Sequence, residues 1–318
     1  MNDKKRQQVN DLLKKAEAGA REVLNSQKYS EFLTIMSKFH NYSFRNNLLI
    51  LMQKPNATYV AGYVAWQKKF NRQVKRGEKG IQIMGYGTYK TTEIENSKEV
   101  ERIIPYFVPV YVYDISQTEG EPLPKLINEL DASVSNYNNI ISSLQSISPY
   151  KIEFEHIYGG AKGYCDLKNK RIAIKEGMSQ AHTIKTIIHE ITHADLHSPD
   201  LKLTMGNAID NRTREVEAES TAFVVCSHYG IDTSDYSFGY IATWSKSKEL
   251  NELNSSFDRI QKHSSDFIDR LDNNLEINQL SVDHKQTKSI KDRIDRAINK
   301  AENNEVKKLE KNEMHLEV

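Results

Sequence analysis

The segment His189-Glu190-Ile191-Thr192-His193 limits what this chain can fold into more than any other stretch of the sequence. Apolar residues recur around it at helical spacing and predict a buried helix: Ile184, Ile187, Ile188, Ile191 and Leu196. Because residues four apart lie on one helix face, both imidazoles can hold one divalent Zn²⁺ ion. Glu190 is placed to act as a general base without being a ligand. The alternative is a helix carrying two unrelated histidines.

A third metal ligand is predicted in a second helix further along the chain. The apolar residues that indicate this helix are Val216, Ala218, Ala222, Phe223, Val225 and Cys226. Glu215 and Glu219 are four apart and share a face, whereas Glu217 is expected to point elsewhere. Two His and one Glu form the ligand set of a catalytic zinc site, so we predict Glu215 as the third ligand. Glu219 would then hold a histidine ring from outside the ligand set. The alternative is that these glutamates only form a solvated helix face.

Other polar residues near the motif have weaker patterns. His197 lies four residues beyond His193, but a straight helix cannot direct three successive such positions at one tetrahedral metal. We therefore predict a structural role for His197. A hydrolytic zinc site often has a donor that stabilises the oxyanion. Tyr229, Tyr236 and Tyr240 are candidates among which the sequence does not choose.

The formal net charge of +1 conceals an uneven distribution along the chain. Residues 1–90 contain 17 Lys and Arg against 6 Asp and Glu, and the remaining residues contain 27 against 37. A basic front part joined to an acidic remainder predicts a module that binds a polyanion. The alternative is that the basic part docks against its own acidic remainder.

Cations of the front part are concentrated beside aromatic residues. A single-strand-binding protein typically combines cations, which contact phosphates, with aromatic side chains, which stack on bases. The predicted DNA-binding residues are Arg45, Asn46, Trp66, Lys68, Lys69, Arg72, Lys75, Arg76 and Lys79. Lys90, Phe70, Tyr86 and Tyr89 belong to the same stretch. The alternative is that Trp66 and Phe70 are core residues and the lysines are only solvated.

The order of helical, strand and linker patterns predicts an α+β chain of two domains. A DNA-binding domain is expected over residues 1–118, and a linker with Pro and Gly over residues 119–126. A metal-binding domain is expected over residues 127–279, ending in a long amphipathic helix. Residues 280–318 are predicted to form a charged helical or flexible tail. The strand immediately before the motif helix is where an extended peptide substrate is expected to pair.

Cysteine usage and hydropathy predict a cytoplasmic protein. Cys165 and Cys226 do not form a C-x-x-C pair, which favours a reducing compartment. No run approaches the ~20 apolar residues of a membrane span. The first residues lack the apolar core of a signal peptide.

The front part resembles the ArdC-type N-terminal domain. The resemblance is carried by Tyr42-Ser43, Asn46-Asn47-Leu48-Leu49, Trp66, the run 75–80 (Lys-Arg-Gly-Glu-Lys-Gly) and the run 113–120. The later part is similar to the zincin-like domain of ArdC and LtrC proteins, which is related to ImmA/IrrE-type metallopeptidases. That similarity is carried by the motif through His197 and by Glu215-Val-Glu217-Ala218-Glu219. Together the two resemblances cover roughly residues 5–275.

Membership of this family implies a protein of conjugative plasmids or integrative elements. Its N-terminal domain is then expected to bind single-stranded DNA, and the protein to shield incoming DNA from host restriction. The resemblance also implies zinc-ligand roles for His189, His193 and Glu215, with Glu190 in the general-base position. Where the gluzincin pattern has Glu-x-x-x-Asp, this chain has Glu215-x-x-x-Glu219.

Three hypotheses follow. In the first, a single-strand-binding antirestriction and conjugation accessory protein of a mobile element carries a zinc metallopeptidase-like domain. In the second, the chain is a site-specific zinc protease that cleaves a regulator of the mobile element, and its basic domain only localises it. The third is a purely structural role for the motif helix and predicts no bound zinc.

Overall fold

The computed structural model of the chain describes residues 3–24, 26–95, 98–123, 134–198, 209–231, 236 and 238–280. Residues 281–318 of the predicted tail and residues 124–126 of the predicted linker lie outside the described residues. Groups of helices and mainly antiparallel strands form an α+β arrangement, which confirms the predicted fold class. Within the described ranges, no helix has the length and hydropathy that crossing a membrane requires.

Four helices and two small sheets form the front of the chain. The helices are α1 (Asp3–Glu22), α2 (Ser26–Lys38) and α3 (Phe44–Gln53), followed by the short α4 (Tyr63–Lys69). The strands are β1 (Val60–Gly62), β2 (Arg72–Val74), β3 (Ile81–Glu95), β4 (Lys98–Asp114) and β5 (Thr118–Gly120). One antiparallel sheet has the order β1-β4-β3, and β2 pairs with β5 in a second.

Strands β3 and β4 pair antiparallel from Ile81↔Val112 to Glu95↔Lys98. They are longer than the strand Ile81–Gly85 and the β-rich run 103–114 that the sequence predicts, and beyond the short β1 they continue as a two-stranded ribbon. Asn46 of α3 anchors the base of this ribbon, because its amide both donates to and accepts from the backbone of Met84.

The later part places a three-stranded sheet beside a group of helices. The strands are β6 (Lys151–Glu155), β7 (Gly163–Asp166) and β8 (Arg171–Lys175). The helices are α5 (Val134–Ile147), α6 (Gln180–His197), α7 (Asn211–His228), α8 (Ile241–Ser245) and α9 (Leu250–Leu280). The sequence predicts a hairpin with arms at Tyr164–Leu167 and Arg171–Lys175, turned at Asn169, and the antiparallel pairing of β7 with β8 confirms it.

The sheet order is β6-β8-β7, so β8 is the central strand. It pairs parallel with β6 on one side and antiparallel with β7 on the other. The prediction that a peptide substrate pairs with the strand immediately before the motif helix is therefore wrong. Both edges of that strand are already hydrogen-bonded, and the edge strands of this sheet are β6 and β7.

The first hydrophobic core contains residues from both halves of the chain. Tyr29 and Phe32 of α2 pack on Phe257 of α9, with ring centroids 6.3 and 5.6 Å apart. The hydroxyls of Tyr29 and Ser220 are 2.8 Å apart and buried, which joins α2 to α7. This core crosses the predicted domain boundary near residue 118, and aromatic and aliphatic side chains form it. The division into two domains stays a prediction.

A second core lies beneath the motif helix. It joins α6 and α7 to α5, β8 and α9 through buried residues that include Ile187, Ile188, Ala222, Phe267 and Leu271. Helix α7 contributes to both cores. One of its faces contacts the motif helix and another contacts the front of the chain.

Candidate metal centre

Helix α6 presents the motif histidines because its remaining faces are fixed by packing. The side chain of Ser179 caps the helix by accepting from the backbone N–H of His182. Ile184, Ile187, Ile188 and Ile191 are at most 5% exposed and anchor the apolar face. The side chains of His189 and His193 keep 18% and 14% of their surface accessible, one helical turn apart.

Helix α7 brings the carboxylates to these rings. Asp210 caps α7 by accepting from the backbone N–H of Thr213, so the helix begins at Asn211 and Glu215 falls near its first turn. The buried residues Val216, Ala218, Ala222 and Val225 fix the rotation of the helix about its axis. Glu215, with a side chain 62% exposed, and Glu219 then face α6.

Three ligand atoms of this pair of helices converge on one point. The Nε2 atoms of His189 and His193 lie 3.0 Å apart. The two oxygens of the Glu215 carboxylate each approach one ring, with Oε2 3.5 Å from Nε2 of His189 and Oε1 3.5 Å from Nε2 of His193. Two ligand atoms that are each ~2.0–2.1 Å from a tetrahedral ion lie about 3.3 Å apart. The three separations bracket that value, so the donor set fits a divalent metal.

The second nitrogen of each histidine ring, Nδ1, also has a polar partner. The Nδ1 atom of His189 lies 3.3 Å from Oε2 of Glu219, which places this glutamate where the sequence predicts a ring-holding group. The Nδ1 atom of His193 lies 2.9 Å from Nδ1 of His197. With both Nδ1 atoms engaged, the Nε2 atoms are the ones aimed at the common point.

The charges around the rings depend on one another. Burial lowers the pKa of His189, but the carboxylates of Glu215 and Glu219 outweigh it and raise that pKa to about 9. The rings of His189 and His193, with His189 the larger contributor, hold the pKa of Glu215 well below its usual range. These shifts describe an anionic pocket that favours positive charge at the point of convergence.

Glu190 is buried beside the cluster. Burial raises the pKa of its carboxyl group, which also accepts a hydrogen bond from the backbone N–H of Cys165 on β7. A carboxyl group with a raised pKa, next to a metal-binding point, has the properties of a general base.

The structure places His197 and Glu217 behind His193, and the sequence does not identify the contacts that join them. Glu217 points away from the face that Glu215 and Glu219 share, as the sequence predicts, and it is fully buried with Oε2 3.1 Å from Nε2 of His197. It also accepts hydrogen bonds from Ser256 and Arg259 of α9. The i, i+4 spacing of His193 and His197 is the only sequence signal for this arrangement.

Among the three candidate tyrosines, Tyr240 faces the cluster. A cavity of about 550 Å³ opens beside Glu215, and its lining consists of Asn211, Arg212, Glu215, Glu219, Tyr240, Thr243 and Trp244. Tyr229 instead donates to Asp272 on α9. The ring of Tyr236 is covered by Lys185, whose Nζ lies 3.3 Å from the ring centroid.

Five of the predicted DNA-binding residues are exposed cations of the front part: Lys68, Lys69, Lys75, Arg76 and Lys79. The prediction for Trp66 is wrong, because its indole is fully buried against Tyr59 and Phe70. Its Nε1–H donates to the backbone oxygen of Tyr113. No face of this ring is available to a base, and the core alternative holds.

Three further predicted residues are engaged within the protein. Asn46 is 8% exposed and its amide is used at Met84, which corrects its assignment as a DNA contact. The guanidinium of Arg72 donates to Thr118 and Gly120, so it stabilises the β2–β5 pair. Arg45 lies over the ring of Phe44 at 4.7 Å and is half-buried.

Most exposed aromatic residues of the front part lie on the ribbon instead, and Tyr63 of α4 is also 49% exposed. Tyr86 is 73% exposed and its ring lies 4.9 Å from that of Phe107, its cross-strand partner. Tyr89 and Tyr111 are 51% and 52% exposed. Among the predicted aromatic residues, the ribbon tyrosines are therefore the ones that can meet a base.

Comparison with known proteins gives results for both parts of the chain. Residues 2–113 match the family model described as the N-terminal domain of anti-restriction factor ArdC. An uncharacterized protein of Bacillus anthracis is 28% identical, with the match covering 77% of this chain and 48% of that protein. The chain thus spans about half the length of this relative.

Two solved structures are also similar to the chain, the metal-free and Mn(II)-bound forms of the antirestriction ArdC protein from plasmid R388. Their TM-scores are 0.48 and 0.47, and they are 18% and 19% identical to this chain. Each match covers 73% of this chain and 84% of the R388 protein. The match to the ArdC N-terminal domain is therefore a finding about residues 2–113 of this chain.

Proposed function

We propose that this protein is an antirestriction accessory protein of a mobile element, in which a single-strand DNA-binding front part is joined to a divalent-metal centre. The observation that carries the metal half is the convergence of His189, His193 and Glu215, whose ligand atoms lie within 4.8 Å of one another. The ArdC N-terminal domain over residues 2–113 supports the antirestriction role.

The donor set favours zinc over magnesium and calcium. Two imidazole nitrogens and one carboxylate are ligands that zinc takes in catalytic sites, whereas Mg²⁺ and Ca²⁺ prefer oxygen ligands alone. When bound, such an ion acts as a Lewis acid that polarises a carbonyl group and acidifies water. His189, His193 and Glu215 would hold it, and Glu219 would fix the ring of His189 from its other side.

The front part supplies cations and aromatic faces for unpaired DNA. Five exposed cations lie on α4 and on the segment from β2 to β3: Lys68, Lys69, Lys75, Arg76 and Lys79. The exposed pair of Tyr86 and Phe107 provides aromatic surface that bases can stack on, in place of the buried Trp66. Cations that track the backbone and rings that stack on bases together favour single strands over duplex DNA.

The experiment that tests this proposal measures metal binding and DNA binding on the full chain. The chain is purified, stripped with a chelator and titrated with Zn²⁺ or Mn²⁺, and a fluorescent single-stranded oligonucleotide is titrated at stepped salt. One metal ion per chain is expected. Single strands should bind more tightly than duplex, with affinity falling steeply as salt rises. Equal affinity for both DNA forms would refute the single-strand assignment, and absence of metal binding would refute the metal centre.

A second candidate function is zinc-dependent proteolysis, and the open cavity beside Glu215 favours it. Glu190 would take the proton of the attacking water, since its pKa is raised by burial. Tyr240 lines the same cavity and would donate a hydrogen bond to the developing oxyanion. The edge strand β7, whose Cys165 N–H binds Glu190, would be the strand nearest an extended substrate.

This candidate is tested by incubating the protein with the products of neighbouring genes. Wild-type protein is expected to cleave one of them, while Glu190→Gln keeps the metal and loses cleavage. Cleavage that persists at the wild-type rate in Glu190→Gln would exclude Glu190 as the base.

A further inference from the structure

We propose that His197, Glu217 and Arg259 form a hydrogen-bonded chain that sets the tautomer and orientation of His193 and thereby strengthens metal binding. The inference rests on the proposed metal site. It assigns positioning roles to three residues that do not contact the point of convergence themselves.

The chain of contacts begins at the ring of His193. Its Nδ1 lies 2.9 Å from Nδ1 of His197, one turn further along α6. The Nε2 of His197 lies 3.1 Å from Oε2 of Glu217 on α7. Oε1 of Glu217 accepts from Nε of Arg259 on α9 at 2.9 Å. Three separate helices therefore contribute to the position of one ring.

Only one arrangement of protons satisfies these contacts when His193 binds a metal. A ligating Nε2 must be deprotonated, so Nδ1 of neutral His193 carries the hydrogen and donates it. His197 must then accept at Nδ1, which leaves its own hydrogen on Nε2. That hydrogen is donated to the carboxylate of Glu217. Each bond fixes the direction of the next, so the tautomer of His193 is decided by Glu217.

The burial of this hydrogen-bonded series makes its arrangement of protons costly to change. The side chains of His197 and Glu217 are 1% and 0% exposed. A buried carboxylate needs paired donors, and Glu217 has them in Arg259 and Ser256 as well as in His197. Its negative charge, relayed through His197, makes Nε2 of His193 a stronger electron donor.

The test compares the Zn²⁺ affinity of two histidine variants of the full chain. His197→Phe removes both hydrogen bonds that this ring makes and is expected to weaken Zn²⁺ binding by about 10–100-fold, the usual cost of losing a group that orients a ligand. His263→Phe is the matched control, because His263 is also buried against α6 but lies 3.7 Å from Asp195 rather than beside a ligand. Its affinity should stay within about threefold of wild type, well below the cost of losing an orienting group. Equal losses in the two variants would overturn the proposal.

A double-mutant cycle separates positioning from simple packing. Glu217→Gln keeps the shape of the side chain and removes its charge, so it should weaken Zn²⁺ binding in the wild-type background. In the His197→Phe background, Glu217→Gln should cause little further loss of Zn²⁺ affinity, because the hydrogen bonds to His193 are already removed. Additive losses would contradict a connected chain.

A measurement on the unmutated protein covers the case in which His197→Phe does not fold. In ¹⁵N-histidine NMR spectra of the zinc-loaded chain, His197 is expected as the neutral tautomer protonated at Nε2. A cationic His197, or one protonated at Nδ1, would overturn the proposal. Failure of the wild-type chain to bind Zn²⁺ would instead refute the metal centre, so the two failures are distinguishable.

Discussion

His189 and His193 present their Nε2 atoms to each other at 3.0 Å, while the Nδ1 atom of each ring is held on the opposite side. Glu219 of α7 holds the first ring and His197 of α6 holds the second. The orientation of both rings is therefore set by residues outside the predicted ligand set.

The burial of Trp66 leads to a prediction about stability. Trp66→Ala is expected to lower the free energy of unfolding by about 3–5 kcal/mol, because it removes a fully buried ring from the core. Urea denaturation measures this change. Val64→Ala on the same helix is the control, because Val64 is 56% exposed, and it should cost under about 0.5 kcal/mol. A Trp66→Ala protein of wild-type stability that no longer bound DNA would restore the stacking role.

The exposure of Tyr86 on the ribbon leads to a prediction about DNA binding. Tyr86→Ala should leave stability unchanged and weaken single-strand binding by about 1–3 kcal/mol, the value of one stacked base. Fluorescence anisotropy with a labelled oligonucleotide measures it. Tyr158→Ala is the control, since Tyr158 is 87% exposed in the later part of the chain. The same loss in both variants would exclude a specific role for the ribbon.

The exposed cations of the front part should act through the DNA backbone. The triple variant Lys68→Gln, Lys69→Gln and Arg76→Gln is expected to bind single strands more weakly at low salt. The slope of log affinity against log salt should become shallower by about 0.7 for each phosphate that the variant no longer neutralises.

A charge-matched control separates this effect from net charge. The triple variant Lys168→Gln, Lys246→Gln and Lys262→Gln changes the formal charge equally at exposed positions outside the cluster. Its salt slope should equal that of wild type. A slope that changes equally in both triple variants would show that total charge, rather than this cluster, governs binding.

His263 gives the protein an acid sensitivity. Burial, followed by Arg270 and His197, lowers the pKa of His263 to about 3 in the folded state, against ~6.5 in the unfolded chain. Its contribution to stability is therefore complete above pH ~6.5 and is lost as pH falls below that value, by about 1.4 kcal/mol per pH unit.

Urea unfolding at two pH values tests this expectation. Between pH 7 and pH 5, wild type should lose about 2 kcal/mol more of its free energy of unfolding than His263→Phe does. Equal losses in the two proteins would show that His263 is not the group responsible.

Local spacing explains what the sequence predicts well. The convergence of His189 and His193 follows from their spacing of one helical turn. The same spacing on α7 places Glu215 and Glu219 on one face. The strand pair β7–β8 follows from a short hairpin. In each case, residues close in the chain determine the geometry.

Long-range packing explains what the sequence misses. Whether Trp66 is a core ring or a stacking platform depends on Tyr59 and Tyr113, which come from other elements. One partner of Glu217 is Arg259, 42 residues away on α9. The central position of β8 depends on β6 pairing with it across the connection, which periodicity does not encode.

The most direct test of the metal centre is calorimetric titration of the chelator-stripped chain with Zn²⁺, beside Glu215→Ala and the exposed control Glu249→Ala. Wild type and the control should each bind one ion with the same affinity. Glu215→Ala should bind at least about 100-fold more weakly, because loss of a ligand exceeds the ~10–100-fold cost of losing an outer group. Unchanged affinity in Glu215→Ala, or a wild-type chain that takes up no ion, would contradict the site built from His189, His193 and Glu215.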